Sequence, residues 1–242
     1  MYKKEDIMLG LISVISLCRN DKERVELVKH ICQPFGESLL GMYKNWQSHG
    51  GKILMSNENR VKYLKGLVFN FASLVTVVKN VPPAREGALD HEFCVILKEL
   101  WPLIEFFLDV HFEDASVIEI ICQFLKYTMR CIGTLFNQVF DQYIKIVVKN
   151  YEKKPVSTYL YTVETLVTLF GKHDVYHQQL SGLFNHMIAC TYTHLTTQQV
   201  SDIRRIDPDL LDDYFGLITR YLRYYPSAVL TSPSLVVYDD LG

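Results

Sequence analysis

The sequence predicts an all-α protein, built as an α-solenoid of antiparallel helix pairs. Three observations carry that expectation. Apolar residues recur near every 3.6 positions along almost the whole chain, no stretch alternates with period two, and the interruptions are short and carry helix punctuation. The 242 residues suffice for one large or two small compact domains, or for several helical repeats sharing one elongated core. An apolar share of 49% against 21% charged residues is that of an ordered, core-forming chain, and the 12% aromatic share adds burial capacity.

Taken in order, the apolar spacing predicts helices over Glu5 to Leu17, Lys22 to Ile31, Phe35 to Trp46, Asn57 to Lys79, His91 to Val110 and Ala115 to Cys131. The series continues over Leu135 to Tyr151, Ser157 to Phe170, Tyr176 to His194, Pro208 to Tyr224, and from Ser227 to Leu230 onward. The breaks fall where helix signals expect them: Asn20-Asp21, Gly50-Gly51, Pro82-Pro83, Glu113-Asp114, Gly133, Pro155, Gly171, Pro208 and Pro226. Short breaks make consecutive helices antiparallel neighbours.

Pairing the helices gives units of roughly 40 to 47 residues, the spacing of HEAT or armadillo-type repeats. His91 to Cys131 is the clearest unit; Leu135 to Phe170 follows, and Tyr176 to His194 pairs with Pro208 to Tyr224 across the polar connection TTQQVSDIRRID. A compact helical bundle is the alternative, but a bundle stops after a few helices and this series does not. A solenoid needs polar outer faces on its terminal repeats, whereas this chain opens on IMLGLISVISL and closes on SPSLVVYDDLG. Residues 1–242 are therefore expected to be one solenoid segment of a longer protein.

A net charge of -2 and a pI near 6.4 give no overall attraction for nucleic acid or an anionic membrane, and neither is an expected partner. Cys18, Cys32, Cys94, Cys122, Cys131 and Cys190 are scattered without CxxC pairs through segments that read as helix, which predicts reduced core thiols and a reducing compartment. The apolar run after Met1 is too short to span a bilayer, and Glu5 and Asp6 interrupt the basic stretch that a signal peptide requires.

Chemistry has no visible carrier, so an enzyme is not expected. His173 and His177 stand four apart, the spacing of a two-histidine zinc site if the segment is helical, but no glutamate or further ligand set completes HDVYH. GxSxG, GxxxxGK[ST] and GxGxxG are absent, and neither a cofactor nor a metal is implied.

Binding has more to offer. In the helix from Ala115, Glu119, Gln123, Lys126 and Arg130 recur at four, three and four residues and form one polar stripe, while Val117, Ile118, Ile121, Cys122, Leu125 and Met129 supply the apolar side. Such a stripe is either an ordinary solvated face or a surface that meets a partner chain. A second track, Lys145, Lys149, Lys153 and Lys154, complements the dipole at a helix C-terminus, which accounts for it structurally. Arg204-Arg205, Arg220 and Arg223 lie near Asp207, Asp209, Asp212 and Asp213, so local salt bridges are the first expectation there. Tyr127, Tyr159, Tyr161, Tyr221, Tyr224 and Tyr225 are expected mainly to pack between repeats, with peptide binding as their other use.

The runs WPLIEFFL, VIEIICQFLKYTMRCIG, TYLYTVETLVTLFG and DPDLLDDYFGLITRYLRYYP resemble, in order and spacing, successive repeats of the transportin-3 and importin-13 branch of the importin-β superfamily. The likeness is best from Trp101 to Pro226, and ENRVKYLKGLVFNFASLV fits upstream in the right order. It implies a middle-to-C-terminal segment of a HEAT-repeat nuclear transport receptor, found in cytoplasm and nucleus. Such a receptor binds protein cargo on its inner surface under control of the GTPase Ran, and nucleoporins are further implied partners. The family's Ran-binding surface lies mainly in N-terminal repeats, so the main Ran site is expected outside this segment.

In transportin-3 members the helix matching VIEIICQFLKYTMRCIG is arginine-rich and engages acidic, phosphorylated segments of splicing factors. This sequence keeps Arg130, substitutes Lys126, and has Ser116, Ile120 and Gln123 at the other matched places. Arginine's planar fork suits phosphate, so the change implies cargo that need not be phosphorylated. Cargo binding is therefore expected of the stripe Glu119, Gln123, Lys126 and Arg130, with splicing-factor-like proteins among the cargo that the resemblance implies. Import is the implied direction. A helical-repeat scaffold or adaptor outside nuclear transport is the alternative function.

Overall fold

The computed structural model describes residues 10, 13, 17, 21–49, 57–85, 87–197 and 207–233, and among them every regular element is helical. The expected helix Glu5 to Leu17 falls almost entirely outside these residues. So do the Gly50-Gly51 break, Cys18, Arg204-Arg205 with most of TTQQVSDIRRID, and the tail beyond Pro233. The chain forms two compact units, Met1–Gln138 and Val139–Gly242.

In the first unit the helices are α1 (Asp21–His49), α2 (Asn57–Asn80), α3 (Glu92–Val110) and α4 (Ala115–Ile132). α1 corrects the expectation of two helices, Lys22 to Ile31 and Phe35 to Trp46, by running unbroken through Pro34. Proline offers no N–H to the carbonyl one turn back, which disfavours a helix interior. Here Pro34 is exposed, while Val28, Cys32 and Leu39 on the opposite side are buried and carry one apolar face across it. Tertiary burial overrides the local break. His91, expected within a helix, is instead the N-cap of α3, its Nδ1 accepting the Phe93 N–H at 3.2 Å. Asp114 caps α4 by accepting from the Val117 N–H, and Gly133 ends it at φ 57°, a left-handed conformation that favours glycine.

The second unit holds α5 (Phe140–Lys153), α6 (Ser157–Phe170), α7 (His177–Thr197), α8 (Pro208–Tyr224) and the short α9 (Pro226–Leu230). The helix expected from Leu135 begins at Phe140, because Gly133–Val139 winds as a 3-10 helix. Tyr176 likewise belongs to a 3-10 turn, Asp174–Tyr176, before α7 starts. α5 and α6 form an antiparallel hairpin. Phe140 meets Phe170 with ring centroids 5.1 Å apart at one end, and Tyr151 meets Tyr159 at 6.2 Å at the other.

Within each unit alternate helices stack. α1 lies on α3 and α2 on α4 in the first; α5 lies on α7 and α6 on α8 in the second. First helix on first and second on second is the packing of stacked hairpins, as in an α-solenoid, since each pair buries an apolar face that it cannot bury alone. The core of the first unit centres on Phe71, Phe93, Phe107 and Phe124, and that of the second on Tyr143, Tyr159, Phe170, Phe184 and Tyr221, all buried.

α2 is long and apolar enough to cross a membrane by length and composition, but half of its most apolar window is buried against neighbouring helices. Cys32, Cys94, Cys122 and Cys131 are buried as expected, whereas Cys190 is only half-buried. Loss of hydration pushes the Cys32 and Cys131 thiols up to about 12 and leaves them unreactive.

Candidate functional site

α4 has two chemically distinct sides. Val117, Ile118, Ile121, Cys122, Leu125 and Met129 are all buried, joined by Phe124, Thr128, Cys131 and Ile132. The opposite side carries Glu119, Gln123 and Lys126, each half-buried, and exposed Arg130. The four residues singled out by spacing therefore do share one accessible face. Gln123 donates its Nε2–H to Glu119 Oε1 at 2.7 Å, so the N-terminal half of the stripe is an internally hydrogen-bonded, acidic pair. The C-terminal half is cationic. Ser116 is exposed and Ile120 half-buried on the same side.

Sequence spacing on α4 could not show that α2 completes this face. α2 stacks beside α4, with Phe71 and Phe124 ring centroids 6.0 Å apart, and the stacking carries Lys79 to the end of the stripe. Its Nζ stands 4.1 Å from the centre of the Tyr127 ring, while Arg130 Cζ lies 5.9 Å from the same ring. The result is a cationic corner around an aromatic plate. Apolar periodicity marked Lys79 only as the last residue of a helix, and 48 positions of sequence separate it from Tyr127.

The chain around that corner is tightly held. Ala84 donates its N–H to the Cys131 carbonyl at 2.6 Å, tying the loop after α2 to the end of α4. Because His91 Nδ1 accepts from Phe93, its Nε2 carries the hydrogen and donates to the Pro82 carbonyl at 3.1 Å. Buried Glu92 pairs with Arg24 Nε at 3.4 Å, joining α1 to the start of α3.

The other sequence-level candidates resolve structurally. His173 precedes a 3-10 turn and His177 opens α7, so the helical condition for their pairing as ligands is not met. His177 stacks on Tyr225 at 3.9 Å, with Nε2 3.0 Å from the Gly171 carbonyl and Nδ1 3.6 Å from Asp174. Among the described residues no group of three His, Cys, Asp or Glu side chains is placed to hold a metal ion. Lys145, Lys149 and Lys153 are exposed along α5, and Lys154 is its C-cap; cations in the last turn complement the helix dipole. Arg220 reaches across helices to Glu164 of α6 at 3.4 Å, rather than only along the acidic start of α8. Glycine at 216 permits that approach: a Cβ there would lie 2.5 Å from Glu164 Oε1.

A family model described as the Transportin-3/Importin-13 fourth TPR domain matches residues 91–195, from the N-cap of α3 into α7, and so includes the whole polar stripe. Over residues 91–195 the chain thus resembles the transportin-3/importin-13 branch. The chain resembles that branch of the importin-β superfamily over more than the matched range. It is 25% identical to Transportin MOS14 of Arabidopsis thaliana over 133 residues, which are 55% of this chain and 14% of that protein. It is 22% identical to Importin-13 of Gallus gallus over 188 residues, 73% of this chain and 19% of that protein. An uncharacterized protein of Schizosaccharomyces pombe is 27% identical over 170 residues, 67% of this chain and 17% of that protein. The chain spans less than a fifth of the length of these relatives. The family description speaks of TPR units, yet α3 and α4 of the matched segment have 19 and 18 residues. Together they exceed the roughly 34 residues of a TPR unit and fit the longer HEAT-type spacing.

Proposed function

We propose that this chain is the cargo-binding segment of a nuclear transport receptor serving import, and that it performs no chemistry on what it carries. The observation that carries the reading is the polar face of α4, which lies inside the transportin-3/importin-13 match and is extended by Lys79 and Tyr127. Glu119, Gln123, Lys126 and Arg130 are the contact residues in this reading. One half of the face is acidic and hydrogen-bonded, the other cationic and aromatic, so it suits a protein segment of mixed charge better than a run of phosphates. Cargo is held by surface complementarity and released by flexing of the stacked pairs. Ran GTPase and nucleoporins are partners of the full-length receptor, which moves between cytoplasm and nucleus.

The test is a pull-down of nuclear proteins on the immobilised chain, comparing wild type with Lys126→Glu/Arg130→Glu. The double variant is expected to recover several-fold less cargo at unchanged helicity by circular dichroism; equal recovery would remove the stripe's role. Release of cargo from the full-length receptor by Ran-GTP supports transport, and insensitivity to it favours a scaffold.

A further inference from the structure

A second surface lies in the same unit, apart from the α4 face. α1 and α3 run side by side and parallel: Arg24 pairs with Glu92, Gly36 backs on to Leu100, and Tyr43 meets Phe106 with ring centroids 4.7 Å apart. The furrow between the two helices holds two cavities, about 390 and 470 Å³, that share Lys29 and therefore follow one another along α1.

Their chemistry alternates along the furrow. Arg24, Lys29 and Arg85 line the first cavity. Arg24 neutralises Glu92, whose side chain is only 2% exposed, and exposed Asp90 also lines this cavity, so Lys29, 4.0 Å from Glu26, and Arg85 leave this end with a small net positive charge. In the second cavity Cys32 and Ile96 come next, then Glu37 and Glu99 from opposite walls, then Leu40, Tyr43 and Leu103. Glu37 accepts a hydrogen bond from Gln33, which leaves its negative charge in place. Gly36 supplies the room: a Cβ there would only touch Leu100 Cδ2 at 3.7 Å, and any longer side chain would enter the furrow.

On α1 the order is Lys29, Cys32, Glu37, Leu40, and Lys29 to Glu37 spans about 12 Å at the helical rise of 1.5 Å per residue. A furrow between two parallel helices accepts the ridge of a third, and a helix laid along it returns to the same face about every 6 Å, so its positions i and i+8 span the distance from Lys29 to Glu37. We propose that this furrow docks one amphipathic helix of a partner protein. Its buried face reads acidic, apolar, basic, apolar at i, i+4, i+8 and i+11, counted from the Lys29 end. The acid meets Lys29 and Arg85, the first apolar side chain covers Cys32 and Ile96, the base sits between Glu37 and Glu99, and the last apolar side chain enters among Leu40, Tyr43 and Leu103. Charge order sets the register, because a helix with the two charges exchanged places like against like at both ends.

Binding is read by fluorescence anisotropy of two labelled, alanine-based helical peptides added to the full chain. One carries Glu, Leu, Arg and Leu at i, i+4, i+8 and i+11; the other has Glu and Arg exchanged. The first is expected to bind roughly tenfold more tightly. Gly36→Leu is expected to abolish that preference, while exchanging the charges at both ends together, Lys29→Glu/Arg85→Glu with Glu37→Lys/Glu99→Lys, is expected to reverse it, a gain that no unfolded protein can show. Lys126→Glu/Arg130→Glu leaves both affinities unchanged, which separates this surface from the cargo face. Equal affinity for the two peptides, or no reversal in a folded variant with the charges at both ends exchanged, overturns the proposal. Self-association of the chain that the first peptide disperses would make a second copy the occupant and overturn it equally.

Discussion

Lys79 on α2 holds its ammonium 4.1 Å from the centre of the Tyr127 ring on α4, joining two helices at the cationic end of the candidate face. A contact of this kind is worth about 0.5–1 kcal/mol at a half-exposed site. Lys79→Met keeps the aliphatic stem and removes the charge, so it is expected to lower stability by about that amount in chemical denaturation. Tyr127→Phe, which keeps the ring, should leave stability unchanged. Lys79→Met combined with Tyr127→Leu, which removes the ring, should show the coupling as a double-mutant cycle.

Tyr151 and Thr191 form the tightest polar link between α5 and α7. The Thr191 hydroxyl gives its hydrogen to the Met187 carbonyl at 2.7 Å, so the Tyr151 hydroxyl, 2.6 Å away, is the donor to Thr191. Burial raises the Tyr151 phenol further above its usual range and keeps it protonated. Thr191→Val preserves shape but strands a buried donor, which costs about 1–3 kcal/mol. Adding Tyr151→Phe to that variant is expected to recover most of the loss, as measured by urea unfolding.

Gly171 caps α6 for reasons of space and not of backbone freedom, since its φ is −62°. A Cβ would lie 2.6 Å from the Val167 carbonyl oxygen and 3.0 Å from Tyr224 Cβ. Neither atom can move without shifting backbone. Gly171→Ala is therefore expected to destabilise by about 1–3 kcal/mol. Gly216→Ala meets only the flexible end of Glu164 and should cost less, with loss of the Arg220 pair as its signature. Thermal unfolding of the two variants side by side checks the order.

His111 closes α3 against Trp46, Tyr63 and Phe107, at ring distances of 5.3, 5.6 and 6.3 Å. Burial lowers its pKa from 6.5 to about 4, with Asp114 opposing the shift and Arg60 adding to it. A base with a depressed folded pKa takes up its proton first in the unfolded chain. The neutral imidazole's contribution is therefore complete above pH 6.5 and is lost as the pH falls towards about 4. His111→Phe should flatten the dependence of melting temperature on pH across that window, and an unchanged slope would reassign it to other groups.

How much of this was legible in advance varies by residue. The caps at Asp114 and Gly133 and the two sides of α4 follow from local chemistry and a 3.6-residue period, and they stand where spacing puts them. The run of α1 through Pro34 was not legible: the local rule breaks a helix there, and only burial of Val28, Cys32 and Leu39 shows why it continues. The 3-10 windings at Gly133–Val139 and Asp174–Tyr176 were missed because a short apolar stretch reads alike in either helix. Lys79, the residue that extends the candidate face, had no sequence signal linking it to Tyr127.

By itself the sequence determined the helical class, the resemblance to the transportin-3/importin-13 branch, and which residues of α4 share a face. Each is written in local periodicity or in the order of motifs. The tertiary structure alone decided that α2 lends Lys79 to that face, that Arg220 turns to Glu164, and that α1 and α3 enclose a furrow of alternating charge. The reason is physical. Stacking a helix on the next but one brings together residues tens of positions apart, and no local pattern records which of them will meet.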